Sequence, residues 1–159
     1  RGEKSSMYEG ALRVPFMVQW KGVLPRGMVY EEPVSSMDIY ATAAAEAEAD
    51  APSNLEGVNL IPYLTGERSG RPHETFYWRQ DGNAGLRHGD LKLVRLVSGV
   101  AAGTGEWELY DLSKDISETN NLAETHPEQL SKLVAIWEDM NSEMQDPMFG
   151  PAGVPIGGE

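Results

Sequence analysis

Cysteine is absent from the 159-residue chain. Disulfide bonds and thiolate metal sites are therefore excluded, and the sequence carries no sign of its redox compartment. Long hydrophobic runs are also missing: none approaches the roughly 18–20 apolar residues of a membrane-spanning helix. No apolar segment of the signal-peptide type follows the first residues. The sequence therefore predicts no membrane partner and leaves the compartment open.

Positive charge is scarce. Thirteen Lys and Arg residues stand against 25 Asp and Glu residues, so the formal net charge is −12. A chain with this balance repels nucleic-acid backbones and anionic membranes, and we expect neither as a partner. An anionic small molecule would need a local basic pocket that works against the charge of the whole chain.

The first fifteen residues concentrate the charges and glycines that such a pocket requires. Gly2 and Gly10 can adopt positive φ or let another segment approach closely. Lys4 carries a compact charge with three hydrogen-bond donors, which suits a bound oxyanion. The nearly continuous apolar stretch 12–20 follows, and it predicts a strand that is buried on both faces of a sheet.

The same fifteen residues resemble the second conserved motif of the sulfatases. These are calcium-dependent sulfate-ester hydrolases of the alkaline-phosphatase superfamily. The matching pattern is Arg1-Gly2-x-Lys4-x-x-x-Tyr8-Glu9-Gly10-x-x-Arg13-Val14-Pro15, with Ala11 where the family usually has a second glycine. The resemblance implies that Lys4 contacts the substrate sulfate and is the catalytic residue of this chain. It also implies that Tyr8, Glu9 and Arg13 support the position of Lys4 without touching the substrate themselves.

Further short patterns of this family follow in the family's order as far as about Met140. Each is weak alone, but several in the right order are strong evidence. They are Val34-Ser35-x-x-Asp38-x-Tyr40, the stretch 55–66, Phe76-Tyr77-Trp78, Leu86-Arg87-x-Gly89-Asp90-x-Lys92-Leu93, and Glu108-Leu109-Tyr110-Asp111-Leu112 followed by Asp115, Glu118 and Asn121-Leu122.

The residue patterns predict an α/β fold whose C-terminal half is α+β. A helix is expected over 37–49, with Ser35 or Ser36 as its cap. Strands are expected over 75–79, 84–87, 91–97 and 107–112, and their spacing indicates an antiparallel sheet. Pro127 opens a helix, with Thr125 or His126 as cap and an apolar face that packs on the sheet.

A polar segment rich in helix and strand breakers, 67–72, predicts a domain boundary. Together with the resemblance it implies three parts. Residues 1–66 would be the end of an alkaline-phosphatase-like α/β catalytic domain. Residues 67–145 would be the C-terminal subdomain, a small four-stranded antiparallel sheet packed by a helix. Residues 146–159, rich in Gly and Pro, would form a surface tail.

Two parts of the family's chemistry are missing from the sequence. The family's formylglycine nucleophile is made within a Cys/Ser-x-Pro-x-Arg motif, and no such motif occurs here. The resemblance places the calcium ligands before Lys4, so calcium is expected in the full-length enzyme but not on this chain. Asp81-Gly82-Asn83 is expected to be a hairpin turn and no metal site. The chain alone is therefore predicted to be inactive.

The three histidines lie far apart in the sequence. His73 and His126 are expected to be surface or structural residues. His88 is the candidate for substrate binding, because the hairpin 87–90 can border a substrate cleft.

Two alternatives to a sulfatase remain open. One is a fragment of a phosphonate or phosphate-ester hydrolase of the same superfamily. The other is a stand-alone, non-catalytic interaction module. The expected partners are the N-terminal sulfatase portion, a carbohydrate or small-molecule sulfate ester, and a second copy of the chain that pairs through an exposed sheet edge. Family habit favours a periplasmic, secreted or lysosomal location.

Overall fold

The computed structural model describes residues 1–80, 82–98 and 103–146. The chain forms two compact units. Arg1–Pro15 and Thr75–Glu159 make up the first, here called the sheet unit, and Phe16–Glu74 makes up the second, the helical unit. The first fifteen residues thus belong with the C-terminal sheet. The predicted boundary at 67–72 and the three-part division of the chain stay predictions.

Four antiparallel strands in the order β1-β2-β3-β4 build the sheet unit. The strands are β1 Thr75–Gln80, β2 Asn83–His88, β3 Leu91–Arg95 and β4 Glu108–Asp111. A tight turn with Gly89 at φ 60° joins β2 to β3, as the Gly-Asp pair predicts. The predicted antiparallel sheet is confirmed. Asp81 of the expected first turn, residues 99–102 of the expected loop after β3, and residues 147–159 of the expected tail lie outside the described residues.

One face of the sheet packs against the helix Pro127–Glu143, which follows the four strands in the chain. Leu86, Leu93 and Leu109 pair across three strands and are fully buried. They form a core cluster with Leu133 and Trp137 of the helix. The helix begins at the predicted proline, and His126 occupies the cap position, although its side chain makes no capping hydrogen bond to the helix. The predicted packing of helix on sheet is confirmed.

The N-terminal segment covers the opposite face of the sheet. Side chains alternate along a strand, so Val94 and Tyr110 point away from the C-terminal helix. There they form a second core cluster with Met7 and Tyr8. Just after these residues the chain forms the one-turn helix α1, Glu9–Leu12. The sheet is therefore enclosed between the C-terminal helix and the segment that contains Lys4.

The helical unit contains α2, Met37–Glu46, and α3, Ile61–Leu64, so the Pro127–Glu143 helix is α4. Asp38 is fully buried and organises this unit. Its carboxylate accepts hydrogen bonds from the backbone N–H groups of Ser35 (2.7 Å) and Val58 (2.9 Å), and lies 2.7 Å from Nε2 of His73. The helix α2 ends earlier than predicted, because acidic residues at its C-terminus oppose the helix dipole.

The predicted buried strand over 12–20 is wrong. Leu12 ends α1, and residues 13–20 form no strand. Met17 is 91% exposed, and Phe16, Val18 and Trp20 are also exposed. The physical reason is that none of the four described strands pairs with this segment. Its backbone N–H and C=O groups therefore have no neighbouring strand to form hydrogen bonds with. Separately, no helix in the described part of the chain is long and apolar enough to cross a membrane.

Candidate functional site

Residues 1–12, here called the N-terminal loop, fold back on themselves. The N–H of Ser6 donates to the carbonyl of Glu3 at 3.0 Å, which makes Lys4 and Ser5 the central residues of a four-residue turn. Ser5 has φ 73°, the positive φ that a type II turn requires at this position. The N–H of Gly10 then donates to the carbonyl of Arg1 at 2.8 Å and closes the loop.

Two glycines make this closure sterically feasible. Gly2 has φ 84°, and a Cβ there would lie 2.4 Å from Oγ of Ser6. A Cβ on Gly10 would lie 2.2 Å from the carbonyl oxygen of Gly2. Contacts this short require the neighbouring atoms to shift, and at Gly10 those atoms belong to the backbone of Arg1 and Gly2. The close approach of the two ends of the loop therefore depends on glycine.

Lys4 lies at the exposed tip of this turn. Among the residues that the structure describes, its ammonium group has no hydrogen bond or ion pair. The residues that follow it, Ser6 to Glu9, are buried. The turn and the buried base thus fix the backbone at Lys4, while its exposed ammonium group is accessible to a ligand.

Tyr8 fixes the base of the loop through a carboxylate on β4. Its hydroxyl donates to Oε2 of Glu108 at 2.7 Å, and the hydroxyl of Tyr110 donates to the same oxygen at 2.5 Å. The Arg1 guanidinium contacts the Tyr8 hydroxyl, lies 3.3 Å from Glu108, and sits 4.0 Å from the centroid of the Tyr8 ring. Burial, reinforced by the hydrogen bond and charge of Glu108, raises the pKa of Tyr8 to about 12. The pKa of Tyr110 rises for the same reasons.

Alkaline titration should reveal this network. A raised tyrosine pKa favours the neutral form in the folded chain, so its contribution to stability is complete below pH 10 and is lost as the pH rises towards 12. We expect the free energy of unfolding to fall across that window, and to fall less steeply in Tyr8→Phe. Tyrosinate absorbance followed alongside urea denaturation measures both. Equal slopes for Tyr8→Phe and the unchanged chain would contradict the assignment.

Beneath the loop lies a buried ion cluster of Glu9, Lys92 and Glu118. The Lys92 ammonium is 2.6 Å from Oε1 of Glu9 and 2.9 Å from Oε1 of Glu118. The other oxygen of Glu118 accepts the backbone N–H of Glu9 at 2.8 Å. Lys92 and Glu118 are fully buried, and Glu9 is 8% exposed. Arg13 lies 3.9 Å from Glu9 at the edge of the cluster.

Sequence reasoning missed this cluster, although a signal was present. Lys92 is two residues before Val94 and four before Leu96, so strand alternation places all three on one face. That face is the core face covered by the N-terminal loop. A lysine there needs buried carboxylates as partners. The three residues predicted to support Lys4, namely Tyr8, Glu9 and Arg13, do lie together at the base and edge of the loop.

The histidines lie elsewhere. Nδ1 of His88 is 2.8 Å from Oγ1 of Thr75, its cross-strand neighbour. Nδ1 of His126 is 2.8 Å from Oγ1 of Thr125. No hydrogen bond or ion pair within residues 1–80, 82–98 and 103–146 joins His88 to the N-terminal loop. The role of His88 in substrate binding stays a prediction.

The described part of the chain contains no cluster of side chains suited to bind calcium. Calcium requires about six to eight oxygen ligands, commonly with clustered carboxylates. Over residues 1–80, 82–98 and 103–146, no three His, Cys, Asp or Glu side chains form a group that could hold a metal ion. The described residues alone therefore do not fit a calcium ion.

The described chain thus combines an antiparallel sheet packed by a C-terminal helix with a closed loop that carries a lysine at its tip. Residues 2–146 match the family described as N-sulphoglucosamine sulphohydrolase, C-terminal. The chain belongs to this family.

Related proteins agree with this assignment. An uncharacterized sulfatase of Schizosaccharomyces pombe is 30% identical over 148 residues, which cover 86% of this chain and 26% of the relative. Steryl-sulfatase of Rattus norvegicus is 39% identical over 79 residues, 48% of this chain and 14% of the relative. The crystal structure of Ps i-CgsB superposes with a TM-score of 0.66 at 25% identity, over 82% of this chain and 29% of that one. The chain thus spans at most about 30% of these relatives.

Proposed function

We propose that this chain is the C-terminal part of a sulfatase that hydrolyses sulfate esters, and that Lys4 binds the sulfate group of the substrate. The observation that carries the proposal is the placement of Lys4. Its ammonium group is exposed at the tip of a hydrogen-bonded turn, has no partner among the described residues, and rests on a buried base.

The chemistry suits this placement. Negative charge on the sulfate oxygens must be stabilised as the ester bond breaks, and a fixed positive charge is an effective way to do so. Lysine supplies three donors on a compact ammonium group. The chain as a whole carries a net charge of −12, so attraction of the sulfate depends on this local cation and on further basic groups nearby.

The remaining chemistry is assigned to the rest of the enzyme. The sequence contains no Cys/Ser-x-Pro-x-Arg motif, so the nucleophile is proposed to lie in an N-terminal portion. The same portion is proposed to supply the calcium ligands, since the described residues offer no metal group. In this arrangement the chain holds the sulfate but does not attack it.

We propose a sulfated carbohydrate as the substrate. One similar structure, Ps i-CgsB, contains k-i-k-neocarrahexaose, and it covers 82% of this chain with a TM-score of 0.67. The description of the family names a sulphohydrolase that acts on a sugar derivative, N-sulphoglucosamine. Steryl-sulfatases match only about half of the chain, which makes a sterol sulfate the weaker candidate.

The reading frame upstream of the Arg1 codon provides the first test. We expect it to continue back to a Cys/Ser-x-Pro-x-Arg motif, and the complete protein to release sulfate from sulfated oligosaccharides. The isolated chain should release none. A complete protein that hydrolyses phosphate or phosphonate esters faster than sulfate esters would overturn the assignment. Turnover by the purified isolated chain would also overturn it.

The exposed segment supports one further expectation for the isolated chain. Phe16, Met17, Val18 and Trp20 present apolar surface to solvent, and such surface promotes association. The predicted homodimer stays a prediction, and sedimentation of the isolated chain checks it. The interaction-module alternative would gain support only if the upstream frame were closed.

A further inference from the structure

We propose that Lys92 is a positioning residue for Lys4: it anchors the N-terminal loop to the sheet through Glu9 and Glu118. The inference rests on the proposed function in one respect, since it takes Lys4 as the sulfate-binding group. The anchoring itself can be measured without any turnover.

Lys92, Glu9 and Glu118 form a clamp, here meaning a cluster of contacts that joins three segments of the chain. Lys92 lies on β3, Glu9 at the start of α1 in the loop, and Glu118 in the segment after β4. The ammonium bridges both carboxylates, at 2.6 Å to Glu9 and 2.9 Å to Glu118. Glu118 also receives the backbone N–H of Glu9 at 2.8 Å. Each of the three residues therefore contacts the other two, and three separate segments are tied at one point.

Burial makes the clamp sensitive to change. Lys92 and Glu118 have no exposed surface, so water cannot replace a lost partner. Removal of one member leaves a buried charge uncompensated, and the group responds by moving towards solvent. Glu9 lies in the N-terminal loop five residues after Lys4, so a movement of its carboxylate towards solvent would displace the segment that carries Lys4.

The backbone conformation of Glu118 supports its role in anchoring the N-terminal loop. Its φ is 54°, a left-handed conformation that is costly for a residue with a side chain. Such conformations persist where the surrounding contacts hold them in place. Here the left-handed backbone of Glu118 orients the Glu118 carboxylate towards both Lys92 and the N–H of Glu9.

Apolar contacts already fasten the loop to the sheet independently of this clamp. Met7 and Tyr8 pack in the cluster that contains Val94 and Tyr110. Loss of the clamp should therefore loosen the loop while the sheet and α4 remain folded. This difference separates positioning from general stability.

Amide hydrogen exchange on the isolated chain tests the anchoring. In Lys92→Met, we expect the N–H groups of Ser6 and Gly10 to exchange about tenfold faster or more, relative to the N–H of Leu109 in the same sample. Lys114→Met is the control, because the Lys114 side chain is 81% exposed and pairs with Asp111, outside the cluster. It should leave the ratio unchanged. An unchanged ratio in Lys92→Met would overturn the anchoring.

A second variant keeps the anchoring testable if Lys92→Met does not fold. Glu118→Gln retains an oxygen to accept the N–H of Glu9 but removes the charge that faces Lys92. It should raise the exchange ratio less than Lys92→Met and in the same direction. If Lys92→Met does not fold, the result for Glu118→Gln decides the question alone.

Kinetics of the complete enzyme test the link to Lys4. Lys92→Met should lower kcat/KM by about tenfold or more, but by almost nothing when Lys4 is already alanine, because coupled residues are not additive. The same loss in both backgrounds would mean that Lys92 is purely structural. If Lys4→Ala itself has no effect, the proposed function fails, whereas the exchange result still stands.

Discussion

Replacement of Lys4 by alanine in the complete enzyme is expected to lower kcat/KM by about 10²–10³-fold, the usual effect of removing one group that stabilises developing charge. The loss should appear mainly in kcat if the ammonium meets charge that develops as the ester bond breaks. Inhibition by inorganic sulfate should weaken in parallel, because the same ammonium is proposed to bind the free ion. Initial rates with a sulfated oligosaccharide, and competition by sulfate, measure both effects.

Two variants make this result specific. Lys21→Ala removes another exposed lysine, outside the N-terminal loop, and should leave kcat/KM unchanged. Lys4→Arg keeps the charge in a larger, planar group and should recover part of the lost activity. Equal rates for Lys4→Ala and Lys21→Ala would contradict the assigned role.

The C-terminal half of the fold could be predicted from sequence because its signals are local. Strand β1 is rich in aromatic and β-branched residues, and Gly89 with Asp90 marks the turn between β2 and β3. Pro127 marks the start of α4. Each signal depends on neighbours a few residues away, so no knowledge of tertiary contacts is needed.

The stretch 12–20 shows where such reasoning fails. Apolar composition indicates that a segment tends to be buried, but it does not supply the strand that must pair with it. In the described chain, Met17 and its apolar neighbours are exposed and no strand pairs with them. The prediction followed the composition, whereas the structure follows the available hydrogen-bond partners.

The candidate site was only partly predictable for a related reason. The spacing of Lys4, Tyr8 and Glu9 is visible in the sequence. The role of Lys92 is not, because it depends on the packing of the loop against β3, 83 residues further along the chain. The turn at Lys4 also uses a serine at positive φ, where composition would favour glycine. Tertiary contacts overrule local preference at both places.

Replacement of Trp137 by alanine should have the largest effect on stability. The Trp137 ring stacks on Tyr77 at 5.6 Å and meets Trp107 edge-on at 5.4 Å, centroid to centroid. Only 6% of the residue is exposed. Truncation of a buried tryptophan costs about 3–5 kcal/mol, a large share of the roughly 5–15 kcal/mol that stabilises a domain. Urea denaturation followed by circular dichroism measures the loss.

Trp20→Ala provides the matched control, since Trp20 is 40% exposed and lies in the helical unit. Its cost should be about 1 kcal/mol or less, as for most exposed sites. Equal losses for the two variants would mean that α4 contributes little to the sheet unit. The comparison also bears on function, because α4 and the N-terminal loop cover opposite faces of one sheet. Lys92 lies on β3, which packs against α4 through Leu93, so Trp137→Ala should also lower the proposed sulfatase activity of the complete enzyme although Trp137 lies outside the proposed sulfate site.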